Sequence, residues 1–225
     1  LEFFNPYAHS VEGWFQTFRR FLGSVFLLFI SYSVFTSHEK IKRFIVVLFA
    51  LCVVAGLYGC IQQWHGLFGF ELAWVHSDPV KFGLFYIMGD YRKFSTMSDP
   101  TAFGVAMAST AIFFMIYAWY QKSLTTKLIF FAGIILILLV MGYSGTRTAN
   151  VMVVAGLAMF ILLTLNKRPS RVLAVAGTIV FLFLLYGPFV NRTIIRFRTS
   201  FIGAQDESYK VRETNRAFIQ PYIYK

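Results

Sequence analysis

Basic residues recur where this sequence leaves a long apolar run. Arg147 lies in the short polar stretch 143–150, between the apolar runs Leu128–Met141 and Val151–Leu165. Other basic residues that we place on the same side of the chain are Arg92, Lys93, Arg192, Arg196, Arg198, Lys210, Arg212 and Arg216. A planar guanidinium group binds phosphate oxygens in pairs, so arginines that converge at a membrane surface suit a diphosphate. The alternatives are a solvated basic face against lipid headgroups and, for Arg147, a side chain that only anchors a helix end.

Two pairs in this set have helical spacing. Arg192 and Arg196 are four residues apart, as are Arg212 and Arg216, so each pair shares one face of a helix. From charge and spacing we therefore count Arg216, Arg196, Arg192 and Lys93 as additional anion-binding candidates.

Composition predicts the surroundings of these residues. The chain has 225 residues, 57% of them hydrophobic, with 27 Phe and a mean hydropathy of +0.63. Several uncharged runs approach the roughly 20 residues that cross a bilayer. The runs are continuous rather than alternating, which excludes a barrel. We predict an all-α integral membrane protein, a polytopic helical bundle with about six transmembrane helices.

We divide the chain into three parts by composition. Residues 1–20 are aromatic and read as an interfacial N-terminal segment, residues 21–190 as the transmembrane domain, and residues 191–225 as a basic helical segment. Within the transmembrane domain we predict a long polar loop over 62–99, closed by Ser98 or Asp99 as an N-cap with Pro100 in the first turn of the next span. The sequence starts at Leu1 rather than Met, and we expect it to be part of a longer protein.

If the chain crosses the membrane six times, the loops 37–43, 121–127 and 166–171 lie on one side of the membrane. The N-terminus, the segment 62–99, the tip 142–150 and the tail then lie on the other. The first set holds eight Lys or Arg in short loops, so the positive-inside rule predicts that it is cytoplasmic.

The charged residues also exclude some functions. A net charge of +11 favours anionic partners such as lipid headgroups, phosphates or acidic glycans. Nucleic acid is a poor partner, because the basic residues are split among short segments. No Asp or Glu lies within a predicted span, which disfavours a proton-coupled transporter. The sequence contains no Asp-x-Asp pair and no metal-ligand spacing, so we expect no metal and no cofactor.

Three stretches resemble the O-antigen ligase/polymerase superfamily of bacterial envelope glycan enzymes, with its Wzy-type C-terminal domain. Residues 92–104, from Arg92 to Gly104, are similar to the family's arginine, short linker and Pro-containing entry into a span. Residues 144–149 resemble its arginine-bearing hairpin tip, and residues 208–212 resemble its Ser-x-x-x-Arg helix. The order of the stretches matches as well, so the resemblance covers roughly residues 20–225.

The resemblance implies a GT-C-like membrane glycosyltransferase on the periplasmic face of the bacterial inner membrane. It would transfer a glycan from undecaprenyl diphosphate to lipid A-core, as an O-antigen ligase does. Arg147 and Arg212 would hold the diphosphate, with Arg92 as a third ligand. The family's histidine base has no counterpart in this sequence, and Thr146 and Thr148 stand where Ser and Gly are commoner, so the catalytic base is unassigned.

Two alternatives remain open. The acceptor of a related polymerase would be a growing glycan on its lipid carrier rather than lipid A-core. From another class, a flippase or other transporter of lipid-linked glycan would predict polar residues through several spans. In every case the partners include membrane lipids and a lipid-linked glycan.

Overall fold

Helices form most of this structure, which is a computed structural model. The structure describes residues 11–87, 89–188, 191–202 and 207–223. Within these ranges the side chains of residues 11, 207–212, 222 and 223 are not described. In chain order the helices are α1 Val11–Val34, α2 His38–Trp64, α3 Gly69–His76, α4 Pro79–Phe85, α5 Pro100–Trp119, α6 Leu124–Tyr143, α7 Arg147–Thr164, α8 Arg168–Tyr186, α9 Arg192–Thr199 and α10 Glu207–Ile223. A short hairpin of β1 Tyr86–Ile87 and β2 Asp90–Tyr91 follows α4.

Six of these helices, α1, α2, α5, α6, α7 and α8, are long and apolar enough to cross a membrane. The predicted all-α polytopic class is confirmed, and the chain is a multi-pass membrane protein. The likeness to GT-C enzymes stays a prediction.

Some boundaries differ from those predicted. Helix α1 begins at Val11 rather than Phe21, so the described part of the predicted interfacial segment is helical; residues 1–10 lie outside the described residues. Helices α2 and α8 begin at His38 and Arg168, so five of the six Lys and Arg of these two loops lie within the first two helical turns instead. Long basic side chains reach water from such helix ends, which is why charge was a poor marker of the boundary.

The chain divides into two compact units, Leu1–Ala50 and Leu51–Lys225, and the boundary along the chain lies within α2. In the first unit, Phe35 and Phe44 pack edge to face, with centroids 4.9 Å apart, across the turn between α1 and α2. All the site residues described below belong to the second unit.

The core of the second unit lies where α5 packs against α6 and α7. Phe103 and Phe114 of α5 and Ile137 and Val140 of α6 are fully buried. Glycines allow the close approach: a Cβ on Gly156 of α7 would lie 2.6 Å from Ile112 Cδ1, and one on Gly56 of α2 would lie 3.2 Å from Leu136 Cγ of α6. Small residues at helix contacts are the usual means of tight packing between membrane helices.

The segment 62–99, predicted as a long polar loop between two spans, is folded: α2 extends to Trp64, and a lobe with its own secondary structure follows. It contains α3, α4 and the β1–β2 hairpin, paired as Tyr86 with Tyr91 and Ile87 with Asp90. Its own hydrophobic core consists of Val75, Phe85 and Phe94, packed with Leu67, Phe82 and Tyr91. The helices have only 8 and 7 residues, too few for a recognisable apolar period.

The lobe ends in the predicted cap. Asp99 accepts hydrogen bonds from the backbone N–H groups of Thr101 at 3.0 Å and Ala102 at 2.9 Å, and Pro100 occupies the first turn of α5. This N-cap fixes where the lobe joins the membrane helices.

Candidate anion-binding site

The site is built around the tip between α6 and α7. Helix α6 ends at Tyr143, Gly145 has a left-handed φ of +63°, and α7 begins at Arg147. Ser144 and Thr146 are buried on either side of Gly145, and Arg147 is half-buried. The turn is therefore tight and places the Arg147 side chain at the start of a membrane-length helix.

Arg92 ties the lobe to this tip. Its Nε donates to the carbonyl of Ser144 at 2.9 Å, and its Nη2 donates to Thr146 Oγ1 at 3.0 Å and Thr101 Oγ1 at 3.4 Å. Its Nη1 donates to the carbonyl of Leu84 at 3.4 Å. Four of the five guanidinium N–H groups thus have partners within the protein. Arg92 is first of all a connector between segments, and less available to a ligand than its charge alone suggested.

Helix α9 brings Arg196 to the tip and Arg192 to the neighbouring hairpin. Arg196 Nη2 donates to the carbonyl of Ile87 at 2.7 Å, and Arg192 Nη1 donates to the carbonyl of Gly89 at 3.0 Å, so both hold the β1–β2 hairpin. Arg196 also passes directly over the tip, because a Cβ added to Gly145 would lie 2.9 Å from Arg196 Cδ. The predicted common face of Arg192 and Arg196 is confirmed by this shared target.

We call Arg92, Arg147, Arg192 and Arg196 the arginine cluster. Burial lowers the pKa of Arg92, and the charges of Arg196 and Arg147 lower it further, while Asp99 raises it. Burial likewise lowers the pKa of Arg196; Asp90 opposes this shift, and the charges of Arg192 and Arg147 add to it. Arg92, Arg147 and Arg196 therefore lie within electrostatic reach of one another or of a shared neighbour, and Arg192 lies within reach of Arg196. Like charges held together away from water favour binding of an anion.

The start of α7 adds to the positive potential. Thr146 is its N-cap residue, yet its hydroxyl does not cap the helix. The Oγ1 atom donates instead to the carbonyl of Pro100 at 3.0 Å and accepts from Arg92. The first amide groups of α7 are left without this side-chain cap, and a helix N-terminus attracts negative charge. The helix end and the arginine cluster therefore favour the same kind of ligand.

Other predicted candidates lie elsewhere or are already engaged. The Lys93 ammonium forms an ion pair with Asp90 at 3.1 Å and donates to the carbonyl of Tyr91 at 2.6 Å. Arg216 is exposed on α10. Arg212 and Lys210 are also on α10, but their side chains lie outside the described residues. The cluster thus gathers Arg92, Arg147, Arg192 and Arg196, and the role predicted for Arg212 stays a prediction.

A second feature was not predicted: a cleft of about 510 Å³ between α2, α3 and the end of the lobe. We call it the aromatic cleft; its lining is Tyr58, Phe70, Glu71, Trp74, Phe94, Ser95, Thr96, Met97 and Ser98. Glu71 is 3% exposed, and a carboxylate inside the otherwise apolar stretch 68–75 was the one sequence signal that pointed to it.

A network of hydrogen bonds fixes one wall of this cleft. Glu71 Oε1 accepts from Tyr58 at 2.8 Å and from Gln62 Nε2 at 2.6 Å, and Oε2 accepts from the Phe68 backbone at 2.8 Å. The Gln62 side-chain oxygen accepts in turn from the backbone N–H of Ser95 at 2.8 Å. Ser95 has a positive φ of 51°, an uncommon conformation for a residue other than glycine, and the network holds it there.

Comparison of the chain with family models, with curated proteins and with solved structures gives no match. The resemblance given above therefore rests on the quoted motifs alone.

Proposed function

We propose that this chain is the transferase part of a bacterial inner-membrane glycosyltransferase that takes a glycan from undecaprenyl diphosphate. The observation that carries the proposal is the convergence of Arg92, Arg147 and Arg196 at the α6–α7 tip, with Arg192 next to Arg196. Such a group of cations at the end of membrane-spanning helices suits a lipid-linked diphosphate, whose charge stays at the surface while its chain lies in the bilayer.

Arg147 is the principal ligand in this proposal. It is the first residue of α7 and its side chain is half-buried, and the Thr146 side chain does not cap the helix end that Arg147 begins. Arg196 and Arg192 each donate one guanidinium hydrogen bond to the hairpin, through Nη2 and Nη1 respectively. Arg92 holds the tip in place and contributes its charge. Arg212 remains a further proposed ligand from the family resemblance.

The reaction breaks the bond between the anomeric carbon of the glycan and the diphosphate oxygen. An acceptor hydroxyl forms the new glycosidic bond and loses its proton, and the carrier-lipid diphosphate departs with the bonding electron pair. Negative charge grows on the leaving diphosphate, so arginines already in position stabilise the transition state. A hydrogen bond to a charged group contributes about 1.5–3 kcal/mol, which corresponds to about 10–150-fold in rate for each donor lost.

The acceptor in this proposal is lipid A-core, on the periplasmic face. The support is the resemblance given above, together with the arrangement of the second unit, in which the folded lobe, the α6–α7 tip and α9 meet. A polymerase would use the same donor site with a growing glycan as acceptor.

The test offers undecaprenyl-diphosphate glycan and lipid A-core to the protein in lipid nanodiscs and resolves the products by size. One glycan block on lipid A-core is expected for wild type, with a loss of about tenfold or more in Arg147→Lys and a greater loss in Arg147→Ala. The matched control is Arg171→Ala, an exposed arginine of α8 at the opposite end of the helices.

The other outcomes discriminate among the alternatives. A ladder of products on the carrier lipid would identify a polymerase. Unchanged transfer in Arg147→Ala would refute the diphosphate role of Arg147. Movement of intact lipid-linked glycan across the bilayer without transfer would identify a transporter.

A further inference from the structure

The aromatic cleft is separate from the arginine cluster and has a different chemistry. Its lining combines four aromatic side chains, those of Tyr58, Phe70, Trp74 and Phe94, with a carboxylate and three hydroxyl groups. Pockets of this kind, apolar with a few placed polar groups, are typical of small-molecule sites. We propose that the aromatic cleft binds a neutral sugar ring, with Glu71 accepting a hydrogen bond from a sugar hydroxyl.

The charge of the lining selects a neutral ligand. Among the described residues that line the cleft there is no Lys or Arg, whereas Glu71 contributes a carboxylate. Lys81 lies 4.8 Å from the ring centroid of Trp74 but is not part of the lining. A phosphate or a lipid headgroup anion would meet the carboxylate without a lining cation to balance it. An acyl chain would satisfy the rings but would bury Glu71 and the hydroxyls against hydrocarbon.

Glu71 has capacity for one more hydrogen bond. A carboxylate accepts about four hydrogen bonds, and the protein supplies two to Oε1 and one to Oε2. The remaining lone pair of Oε2 suits a donor hydroxyl. The side chain is held in place by Tyr58 and Gln62, so it loses little freedom when a ligand binds.

The rings form a rigid wall with one open part. Trp74 packs against Phe85 and Phe94, with centroid distances of 5.4 and 5.9 Å, while Phe70 is 70% exposed. The negative face of an aromatic ring attracts the weakly positive C–H face of a sugar. Ring faces and a carboxylate together therefore match the two sides of a pyranose.

The cleft and the arginine cluster share one short segment. Arg92 reaches the α6–α7 tip, and Ser95 lines the cleft only three residues later, a chain distance of about 10 Å at most. If the proposed function holds, the sugar in the cleft belongs to the acceptor, and this assignment rests on that function. The binding of a sugar does not depend on it.

The experiment measures binding of two neutral probes, methyl β-D-glucopyranoside and methyl N-acetyl-β-D-glucosaminide, to the full chain in phosphatidylcholine nanodiscs by saturation-transfer NMR. Saturation of the ring C–H protons is expected with at least one probe and not with glucose 1-phosphate. Phe70→Ala and Trp74→Ala should each raise the Kd about 2–10-fold, and Glu71→Gln about tenfold or more. Trp64→Ala, which removes a tryptophan that is 75% exposed and outside the lining, should leave the Kd unchanged.

Absence of saturation with both probes would overturn the proposal, as would an equal loss in Trp64→Ala and Phe70→Ala. Because Phe70 is largely exposed, its variant tests the cleft even if Glu71→Gln fails to fold. Sugar binding without any glycan transfer would leave the cleft assignment standing and remove the proposed function. Glycan transfer without sugar binding would remove the cleft assignment and leave the proposed function standing.

Discussion

The Nε atom of Arg92 donates a hydrogen bond of 2.9 Å to the backbone carbonyl of Ser144, a residue 52 positions further along the chain. Ser144 is the C-cap residue of α6, so the guanidinium group satisfies a carbonyl at the negative end of a membrane-length helix. One side chain thus stabilises a helix end, fixes the α6–α7 tip and attaches the lobe.

Arg92→Lys should destabilise the protein, since an ammonium cannot reach the four acceptors that the guanidinium group engages. We expect the free energy of unfolding to fall by about 1–3 kcal/mol, from buried acceptors that lose their donors. Denaturant titration in mixed micelles measures this. Arg216→Lys, on the exposed face of α10, should change the value by about 0.5 kcal/mol or less, and equal effects of the two substitutions would contradict the connector role.

Gly145→Ala should weaken both the fold and the anion site. The residue has a φ of +63°, and the new Cβ would lie 2.9 Å from Arg196 Cδ, so the side chain of Arg196 must move. Backbone strain of this kind costs about 1–2 kcal/mol. The control is Gly177→Ala in α8, where nothing lies within 4 Å and the exchange should be neutral or slightly stabilising. Thermal unfolding at one scan rate compares them; if Gly145→Ala unfolds at the wild-type temperature, the tight tip is not required.

Thr146→Val removes a hydroxyl that accepts from Arg92 at 3.0 Å and donates to the Pro100 carbonyl at 3.0 Å. The residue is 4% exposed, so both partners lose a buried hydrogen bond, and we expect a loss of about 1–3 kcal/mol. Thr146→Ser keeps the hydroxyl and should retain most of the stability. Thr148→Val, at an exposed position two residues later, is the control, and a similar loss there would exclude the hydrogen bonds as the cause.

Pyrophosphate should stabilise the protein more than its ionic strength explains. Burial and neighbouring arginines lower the pKa of Arg92 and Arg196, which shows that their charges are unfavourable in the folded state. A bound dianion or trianion reverses this cost, and at 100 times its Kd a ligand adds about 2.7 kcal/mol to the free energy of unfolding.

The change in unfolding free energy caused by pyrophosphate is compared with the change caused by sodium chloride at equal ionic strength. The same measurement on Arg147→Gln should give a smaller effect of pyrophosphate. If chloride stabilises as strongly as pyrophosphate, the arginine cluster only responds to screening.

Sequence reasoning recovered the features that depend on local composition. Uninterrupted apolar runs are sufficient to locate all six long helices, though not where α1, α2 and α8 begin, and the Asp99-Pro100 pair identifies the start of α5. The fold of the lobe was not predicted, because its helices are short and its core consists of residues spread from Val75 to Phe94. A prediction from hydropathy has no means of finding such a core.

The candidate site was likewise predictable only in part. Arginines near helix ends were recognisable as anion-binding candidates, and Arg92, Arg147 and Arg196 meet at one tip. Which atoms each guanidinium group engages was not predictable, because the partners of Arg92 lie up to 54 residues away in the chain. Glu71 was overlooked, since a lone carboxylate gains meaning only when Tyr58, Gln62 and the cleft are placed around it.

The contacts of α9 also bear on the order in which the protein is assembled. Arg192 and Arg196 hold hairpin carbonyls that precede them by 103 and 109 residues. During synthesis the N-terminal part folds first, so the lobe and the α6–α7 pair exist before either arginine has left the ribosome. The hairpin therefore acquires these two hydrogen bonds only after α9 has been synthesised, and the arginine cluster is incomplete until then. A ribosome-bound chain ending before α9 should accordingly insert its helices without yet having the complete cluster.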